Sequence, residues 1–340
     1  MVPPALPEPA PDLTLPGFAI GHGGDAASGT GVTVILCPEG ASAAAEVRGT
    51  ATGTRQFDSL VAGHHVANRV HALVFAGGSA FGLGAADPVA EWLTARGFGF
   101  QTGLGTVPTV PTAILFDLGF GDPAARPTRA HVEVALASAG DGIVPVGSVG
   151  AGTGATVGKA LGRERGMKGG FGFVRLTVPG GVTVAAAVAV NAFGDVCDPT
   201  TGRIVAGCRS DRGGGQGNDQ GGGHGELADA RRVLAALAPD AAHPWEGNTT
   251  LAAVLTDAAL PKPALLKVCQ MAFGGLYRTL APALSLYDGD LVVALARGER
   301  AAHPHQVGVL AEEAVARAVL VAVRAADGFG RLPAVRDLRP

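Results

Sequence analysis

The 340-residue chain has few aromatic residues, few cysteines and little charge of either sign. Aromatic residues make up 5% of it, so the core must be mainly aliphatic. Its four cysteines include no close pair and no histidine partner at metal-ligand spacing, which favours reduced packing residues over a disulfide or metal framework. The formal charge of −3 leaves no basic excess that would predict a nucleic-acid partner.

A long hydrophobic run is also missing. The longest apolar stretch, Val182–Val190, is far shorter than the ~20 residues of a membrane helix. The first residues lack a basic segment followed by an apolar one, as a secretion signal would have. We therefore expect a cytoplasmic protein with no membrane partner.

Glycine is abundant, with 53 residues, and it divides the chain into short apolar segments. Two segments, Val32–Cys37 and Ala44–Arg48, predict separate strands of an antiparallel meander, and Thr112–Leu118 and Ile143–Val149 predict further strands. The proline-rich residues 1–16 are expected to form a flexible tail. The low-complexity residues 212–225 are expected to form a flexible glycine-rich loop.

A glycine turn follows the predicted strand Val70–Phe75 and precedes a helical stretch. Backbone amides at Gly78 and Ser79 could there meet a carboxylate or carbonyl oxygen of a substrate, although tight strand-to-helix packing explains the glycines equally well. His64 and His65 lie just upstream, but adjacent side chains of an extended segment diverge and no carboxylate cluster accompanies them. No metal site is predicted.

The most prominent glycine motif is GAGTGATVGK, residues 150–159. It fits the dinucleotide-binding pattern, but the next apolar strand is not followed by the acidic residue that would bind a ribose. It also fails as a phosphate loop, because the glycine spacing is one residue short and Ala160 stands where serine or threonine is required. No cofactor is expected.

The segment Gly247-Asn248-Thr249-Thr250 leads directly into an apolar run of strand type. A plain turn is its ordinary interpretation, and Asn248–Thr250 also matches the N-glycosylation pattern. If the chain were cut before Thr249, however, that residue would carry a hydroxyl nucleophile and, in its free amine with a pKa near ~8, the base that activates it.

Two further polar features lie beside buried strands. Asp288 and Asp290 are two residues apart in an extended segment, so both carboxylates can face one point while Gly289 gives close backbone access; an ordinary hairpin turn is the alternative. Asn191 ends the strand Val182–Val190, where its amide could donate to a developing oxyanion or simply make a turn.

Motifs spread over the chain agree with one another. In order they are RGTATGTRQ, GGSAFGL, TAILFDL, VGAGTGATVGK, VAVNAFGDV, GNTTLAAVLTDA and YDGDLVVALA. With them the sequence resembles the L-aminopeptidase/D-amidase-esterase family, which includes the beta-peptidyl aminopeptidases, and at the site it is most similar to the nylon-oligomer endohydrolases. The resemblance implies an α+β fold, a four-layer αββα sandwich like that of N-terminal-nucleophile hydrolases, and a single catalytic domain that cuts itself into residues 1–248 and 249–340.

The resemblance also implies roles for individual residues. The cut would fall between Asn248 and Thr249, with Thr249 as the nucleophile. Asp288 and Asp290 match the acidic pair of the nylon-oligomer enzymes, Lys159 matches their active-site lysine, and Asn191 matches the oxyanion asparagine. Phe116 replaces the tyrosine that those enzymes carry, so one hydroxyl donor is missing from the substrate-binding side.

We therefore expect a self-processing amidohydrolase acting on a small amide or peptide substrate, such as a short peptide or a 6-aminohexanoate oligomer. The resemblance further implies a homo-oligomer, a tetramer. Two alternatives stay open at this point. One is an autoprocessed acyltransferase of the ornithine acetyltransferase type, and the other is an uncut, non-catalytic homologue.

Overall fold

The structure, a computed structural model, describes residues 6–66, 69–210, 227–238 and 247–338. The predicted glycine-rich loop, residues 212–225, lies outside these ranges. The strands are β1 Ala19–Asp25, β2 Thr30–Val47, β3 Thr54–Arg55, β4 Arg69–Ala76, β5 Phe100–Thr102, β6 Gly105–Val107, β7 Thr112–Ile114, β8 Thr156–Val157, β9 Met167–Lys168, β10 Gly170–Thr177, β11 Thr183–Asn191, β12 Asp195–Cys197, β13 Ile204–Ala206, β14 Thr249–Ala258, β15 Leu280–Ala281 and β16 Leu291–Arg300. The α-helices are α1 Asp58–Val61, α2 Ala86–Thr94, α3 Arg129–Ser138, α4 Ala230–Ala235, α5 Lys262–Thr279 and α6 Pro304–Arg324.

One hydrogen-bonded path joins the main strands in the order β10-β11-β14-β16-β2-β4-β7-β3, and β1 pairs with β2. The long strand β2 belongs to both halves of this path. Its first half pairs with β1 and β4, and its second half pairs with β16. The pairing with β4 shifts register between Leu36 and Ala41 and resumes at Ala41 and Ser42. Inner-face residues of both halves share one core, so the path forms two facing layers.

Alternating side chains fill the spaces between the layers, as the two-residue period of a strand requires. In β14, Leu251, Ala253 and Leu255 point into the core between the two sheets, whereas Ala252 and Val254 pack towards α5 and α6. A third core joins β2 and β4 to α2 and α3. The layers therefore run helix, sheet, sheet, helix, which confirms the expected αββα sandwich.

Several predicted elements differ in detail. The two strands predicted at residues 32–37 and 44–48 are one strand, because the sheet continues through a bulge in which Gly40 has φ +88°. The strand predicted over 112–118 ends at Ile114. The strand predicted over 143–149 forms only isolated bridges, at Ile143 and at Gly147.

The flexible tail predicted for residues 1–16 differs in its second half. Ala10 pairs with Arg175 of β10, and Leu13 and Leu15 are buried in the core between the sheets. This part of the chain is an extended arm that packs on the protein itself. Two apolar side chains explain the difference, because burying a leucine stabilises its position by about 1.5–3 kcal/mol.

Candidate active site

The site is built around the first residue of β14, a central strand of its layer. Thr249 lies opposite Asn191, the last residue of β11, and the segment before β16 runs along its other side. Its side chain is on the face that points between the two sheets. Thr249 is buried, and its Oγ1 lies 2.5 Å from the carbonyl oxygen of Asn248.

The peptide bond before Thr249 is held by the backbone of residues 287–289. The Asn248 N–H donates to the Tyr287 carbonyl at 2.8 Å, and the Gly289 N–H donates to the Asn248 carbonyl at 2.7 Å. A Cβ at residue 289 would lie 2.7 Å from the Thr249 Oγ1 and 2.5 Å from the Ala51 carbonyl oxygen. Glycine is therefore required at 289 for the chain to approach the threonine this closely.

The two aspartates flank Gly289 and are both buried. The Asp288 carboxylate accepts hydrogen bonds from the Phe193 N–H at 3.0 Å and from the Ser285 N–H and hydroxyl at 2.9 and 2.6 Å. The Asp290 carboxylate accepts from the Thr250 N–H at 2.6 Å.

Burial raises the pKa of both carboxyls. The pKa of Asp290 is raised further by the charge of Asp288, whereas the Lys159 ammonium and the hydrogen bonds lower that of Asp288. Two acids whose ionisation is disfavoured, one of them bonded to the Thr250 N–H next to Thr249, can hold and release protons at this site.

Lys159 and Asn191 form a second buried group. The Lys159 Nζ donates to the Asn191 Oδ1 at 3.0 Å, and the Thr156 N–H donates to the same oxygen at 3.0 Å. The Asn191 Nδ2 donates to the Phe116 carbonyl oxygen at 2.9 Å. Asn191 thus holds the lysine through its acceptor, and one of its two N–H donors goes to Phe116, whereas the sequence suggested a donor aimed at an oxyanion. The Asn248 carbonyl instead receives hydrogen bonds from the Gly289 N–H and the Thr249 hydroxyl.

The loop that carries Lys159 is fixed by another lysine. The buried Lys168 donates to the carbonyl oxygens of Gly152, Ala155 and Gly169 at 2.8, 2.8 and 3.1 Å. Burial lowers its pKa to about 7, although the buried Asp117 carboxylate opposes this shift. Lys168 therefore holds the glycine motif in the shape that brings Thr156 to Asn191.

Replacing Lys168 by methionine is expected to destabilise the fold by about 3 kcal/mol, because three buried carbonyl oxygens lose their donor. Urea unfolding followed by circular dichroism measures the loss. Lys267→Met, on the exposed side of α5, is the matched control and should leave the unfolding midpoint unchanged. Equal midpoints for the two variants would contradict the assigned role of Lys168.

The glycine turn after β4 is arranged differently from the prediction. The Gly78 N–H donates to the Asp117 Oδ1 at 2.7 Å, and the Ser79 N–H donates to the Leu115 carbonyl at 3.1 Å. Both amides predicted to bind substrate therefore serve the chain's own acceptors. Burial raises the pKa of Asp117 to about 6.

Phe116 lies beside the segment that precedes Thr249. A Cβ at Gly247 would be 3.0 Å from the Phe116 Cβ, so the main chain passes directly over this side chain. A small cleft opens at this contact, and its lining includes Phe116, Gly247, Thr156, Lys159 and Arg163. The cleft thus lies next to Gly247, two residues before Thr249.

Within the described ranges, histidine, cysteine and acidic side chains form no group that could hold a metal ion. In the same part of the chain, none of the helices combines the length and the apolar character needed to cross a bilayer.

Sequence reasoning missed the contributions of Tyr287, Ser285 and Lys168. Tyr287 acts through its main-chain carbonyl and Ser285 through its N–H and hydroxyl, and no spacing rule predicts such contacts. Lys168 is a single lysine, which from the sequence resembles a surface residue. The Asp-Gly-Asp pattern did give a signal for close backbone approach at Gly289.

Residues 14–330 match the family model of peptidase family S58. An uncharacterized aminopeptidase of Mycobacterium bovis is 38% identical over 329 residues, which cover 91% of this chain and 90% of the relative. A 6-aminohexanoate-oligomer endohydrolase of Kocuria sp. is 28% identical over 323 residues, covering 91% and 84%.

Solved structures agree in fold. A beta-aminopeptidase of Burkholderia sp. superposes with a TM-score of 0.69 at 19% identity, covering 97% of this chain and 92% of the other. The L-aminopeptidase D-Ala-esterase/amidase of Ochrobactrum anthropi, described as a new variant among the Ntn hydrolase fold, gives 0.68 at 18% identity, covering 97% and 91%.

The chain thus has the fold of these two aminopeptidases, a variant of the Ntn hydrolase fold. The chain belongs to peptidase family S58, as its resemblance to the L-aminopeptidase/D-amidase-esterase family indicated, and it is an enzyme that hydrolyses amide or peptide bonds.

Proposed function

We propose that the chain cuts itself between Asn248 and Thr249 and that the freed Thr249 is the nucleophile of an amidohydrolase. The observation that carries this proposal is the position of the Thr249 Oγ1, 2.5 Å from the Asn248 carbonyl oxygen while the Gly289 N–H holds that oxygen at 2.7 Å. A hydroxyl held at a polarised carbonyl group places the nucleophile in the neighbourhood of the carbon that an acyl shift attacks.

In the self-cut, the Thr249 hydroxyl oxygen attacks the Asn248 carbonyl carbon, and the Gly289 N–H stabilises the negative charge on the carbonyl oxygen. The C–N bond breaks, a proton passes to the threonine nitrogen, and an ester joins Asn248 to Oγ1. Water then hydrolyses the ester, which leaves a carboxylate on Asn248 and restores the hydroxyl. Because the threonine nitrogen is an amide until the bond breaks, Asp288 and Asp290 supply the proton-exchanging groups in this step.

In the mature enzyme, the amine of Thr249 is free and acts as the base for its own hydroxyl. The hydroxyl attacks a substrate amide, the amine leaving group takes a proton, and water releases the acid from the ester. The aspartates keep the new ammonium or amine oriented. Lys159, held by Asn191, adds positive charge on the cleft side of the site.

The substrates we propose are short peptides and 6-aminohexanoate oligomers, since the relatives are named an aminopeptidase and a 6-aminohexanoate-oligomer endohydrolase. Phe116 lies on the path to Thr249, so the cleft offers an aromatic face where the nylon-oligomer enzymes have a tyrosine.

A product-release assay tests this function. The purified protein is incubated with a short L-peptide amide, a beta-peptide, a D-residue amide and a 6-aminohexanoate oligomer, and acid quenching traps any acyl ester on the chain that begins at Thr249. We expect release from at least one substrate and the matching mass increase on that chain. Release without an ester on Thr249 would contradict the proposed nucleophile.

A homo-oligomer, a tetramer in the resembled family, and a cytoplasmic location stay predictions. Light scattering on the purified protein tests the first, with a mass of about four chains expected. A monomer with full activity would contradict it.

A further inference from the structure

Asn248 is bound in the uncut chain in the way that a substrate residue would be bound. It forms a parallel bridge with Asp288, in which its N–H reaches the Tyr287 carbonyl at 2.8 Å and its carbonyl receives the Gly289 N–H at 2.7 Å. Both contacts use only backbone atoms of residues 287–289, so they depend on the backbone of the bound residue and accept many side chains.

The ester formed in the self-cut and the ester formed from a substrate are the same chemical group, an acyl carbonyl on the Thr249 Oγ1. The oxygen of that carbonyl needs a donor in both reactions, and the Gly289 N–H is already in place for the first. The acyl group of a substrate therefore reaches the position that Asn248 occupies in the uncut chain. This step rests on the proposed function of Thr249.

We propose that residues 287–289, here named the acyl strand, bind the acyl residue of the substrate and favour α-aminoacyl amides, so that short peptides are better substrates than 6-aminohexanoate oligomers. The two hydrogen-bonded groups of Asn248, its N–H and its C=O, are separated by a single carbon atom, the Cα. An α-amino acid has this spacing. In a 6-aminohexanoyl group, and to a smaller extent in a beta-amino acid, the nitrogen lies farther from the carbonyl, so both hydrogen bonds cannot form in the register of Asn248.

The acyl strand also allows a chain that continues beyond the acyl residue. Gly247 shows where the preceding residue runs, over Phe116 and along the cleft beside Lys159 and Arg163. Since Asn248 is bound through an amide N–H, the acyl strand needs a donor at this nitrogen and does not need a positive charge. N-blocked α-aminoacyl amides are therefore substrates as well.

Two sets of p-nitroanilides test the proposal. In the first, L-alanyl anilide is compared with propionyl, beta-alanyl and 6-aminohexanoyl anilides. We expect kcat/KM about 10-fold lower or more for the propionyl and 6-aminohexanoyl compounds, the loss that follows from one missing hydrogen bond, and an intermediate value for beta-alanyl. Equal values across the set would overturn the selection.

In the second set, N-acetylglycyl anilide is compared with N-acetylsarcosyl anilide, which differs only in a methyl group on the nitrogen. We expect the glycyl compound to be hydrolysed and the sarcosyl compound to be at least about 10-fold slower. Equal rates would overturn the role of the Tyr287 carbonyl.

Failure of the proposed function has a different signature from failure of the acyl strand. A chain that hydrolyses none of these anilides, or in which Thr249→Ala hydrolyses them like the wild type, would contradict the nucleophile. A chain that hydrolyses all of them at one rate through Thr249 would contradict the acyl strand alone.

Discussion

Replacing Thr249 by alanine is expected to leave the purified chain uncut and to lower amide hydrolysis by at least ~10³-fold, because both the nucleophile and its base depend on this residue. Thr249 is the residue whose hydroxyl lies at the Asn248 carbonyl oxygen. Denaturing mass spectrometry and a product-release assay measure the two effects.

Serine at the same position is the matched comparison. Thr249→Ser keeps the hydroxyl and the amine, so we expect a cut chain and activity within about tenfold of the wild type. Thr177→Ala, in β10, removes a threonine hydroxyl at the far end of that layer and should change neither cutting nor hydrolysis. A Thr249→Ala chain that is still cut at this bond would require another nucleophile.

Replacing Asp290 by asparagine is expected to slow both the self-cut and hydrolysis by about 10²–10⁴-fold, the usual contribution of a group that transfers protons. The amide keeps the shape of the side chain and an oxygen that can accept from the Thr250 N–H. What it loses is the ability to exchange a proton beside Thr249. The rate of appearance of the chain that begins at Thr249 measures the effect on cutting.

The same variant should change how stability depends on pH. Burial raises the pKa of Asp290 well above its ordinary value, so the folded state holds this proton more tightly than the unfolded state does. The stability from this group is fully present below the unfolded pKa and is lost as pH rises through the folded pKa. Asp290→Asn removes that loss, so its Tm should fall less than the wild-type Tm as the pH rises above the ordinary pKa of an aspartate.

Asp141→Asn is the control for this measurement, because Asp141 is exposed. Its activity and its Tm profile should follow the wild type at each pH. If Asp290→Asn instead lost stability relative to the wild type as the pH rose, the assignment of a raised pKa to the Asp290 carboxyl would be contradicted.

The strand that begins at Thr249 could be predicted from the sequence, because an apolar run follows a small polar turn there. The family could be predicted as well, because its motifs occur along the chain in order. The sequence could not predict that the strand after Thr112 ends at Ile114. There the Phe116 carbonyl accepts a hydrogen bond from the Asn191 side chain, so the ladder stops for a contact with a residue distant in sequence.

Asn191 is a second case in which contacts between residues distant in sequence could not be predicted. Its place at the end of a buried strand was predictable from the apolar run, but the direction of its amide depends on Lys159, Thr156 and Phe116, which only the folded chain brings together. The bulge in β2 is similar, since the glycine-containing segment between residues 37 and 44 predicted a break between two strands. Pairing with β4 and β16 on either side keeps the strand continuous.

The central claim is that Thr249 becomes the first residue of a separate chain. Denaturing mass spectrometry of the freshly purified wild-type protein, with N-terminal sequencing of the smaller component, tests it most directly. We expect two chains, one ending at Asn248 and one beginning with Thr249. A single intact chain that hydrolyses its substrates at the full rate would contradict it.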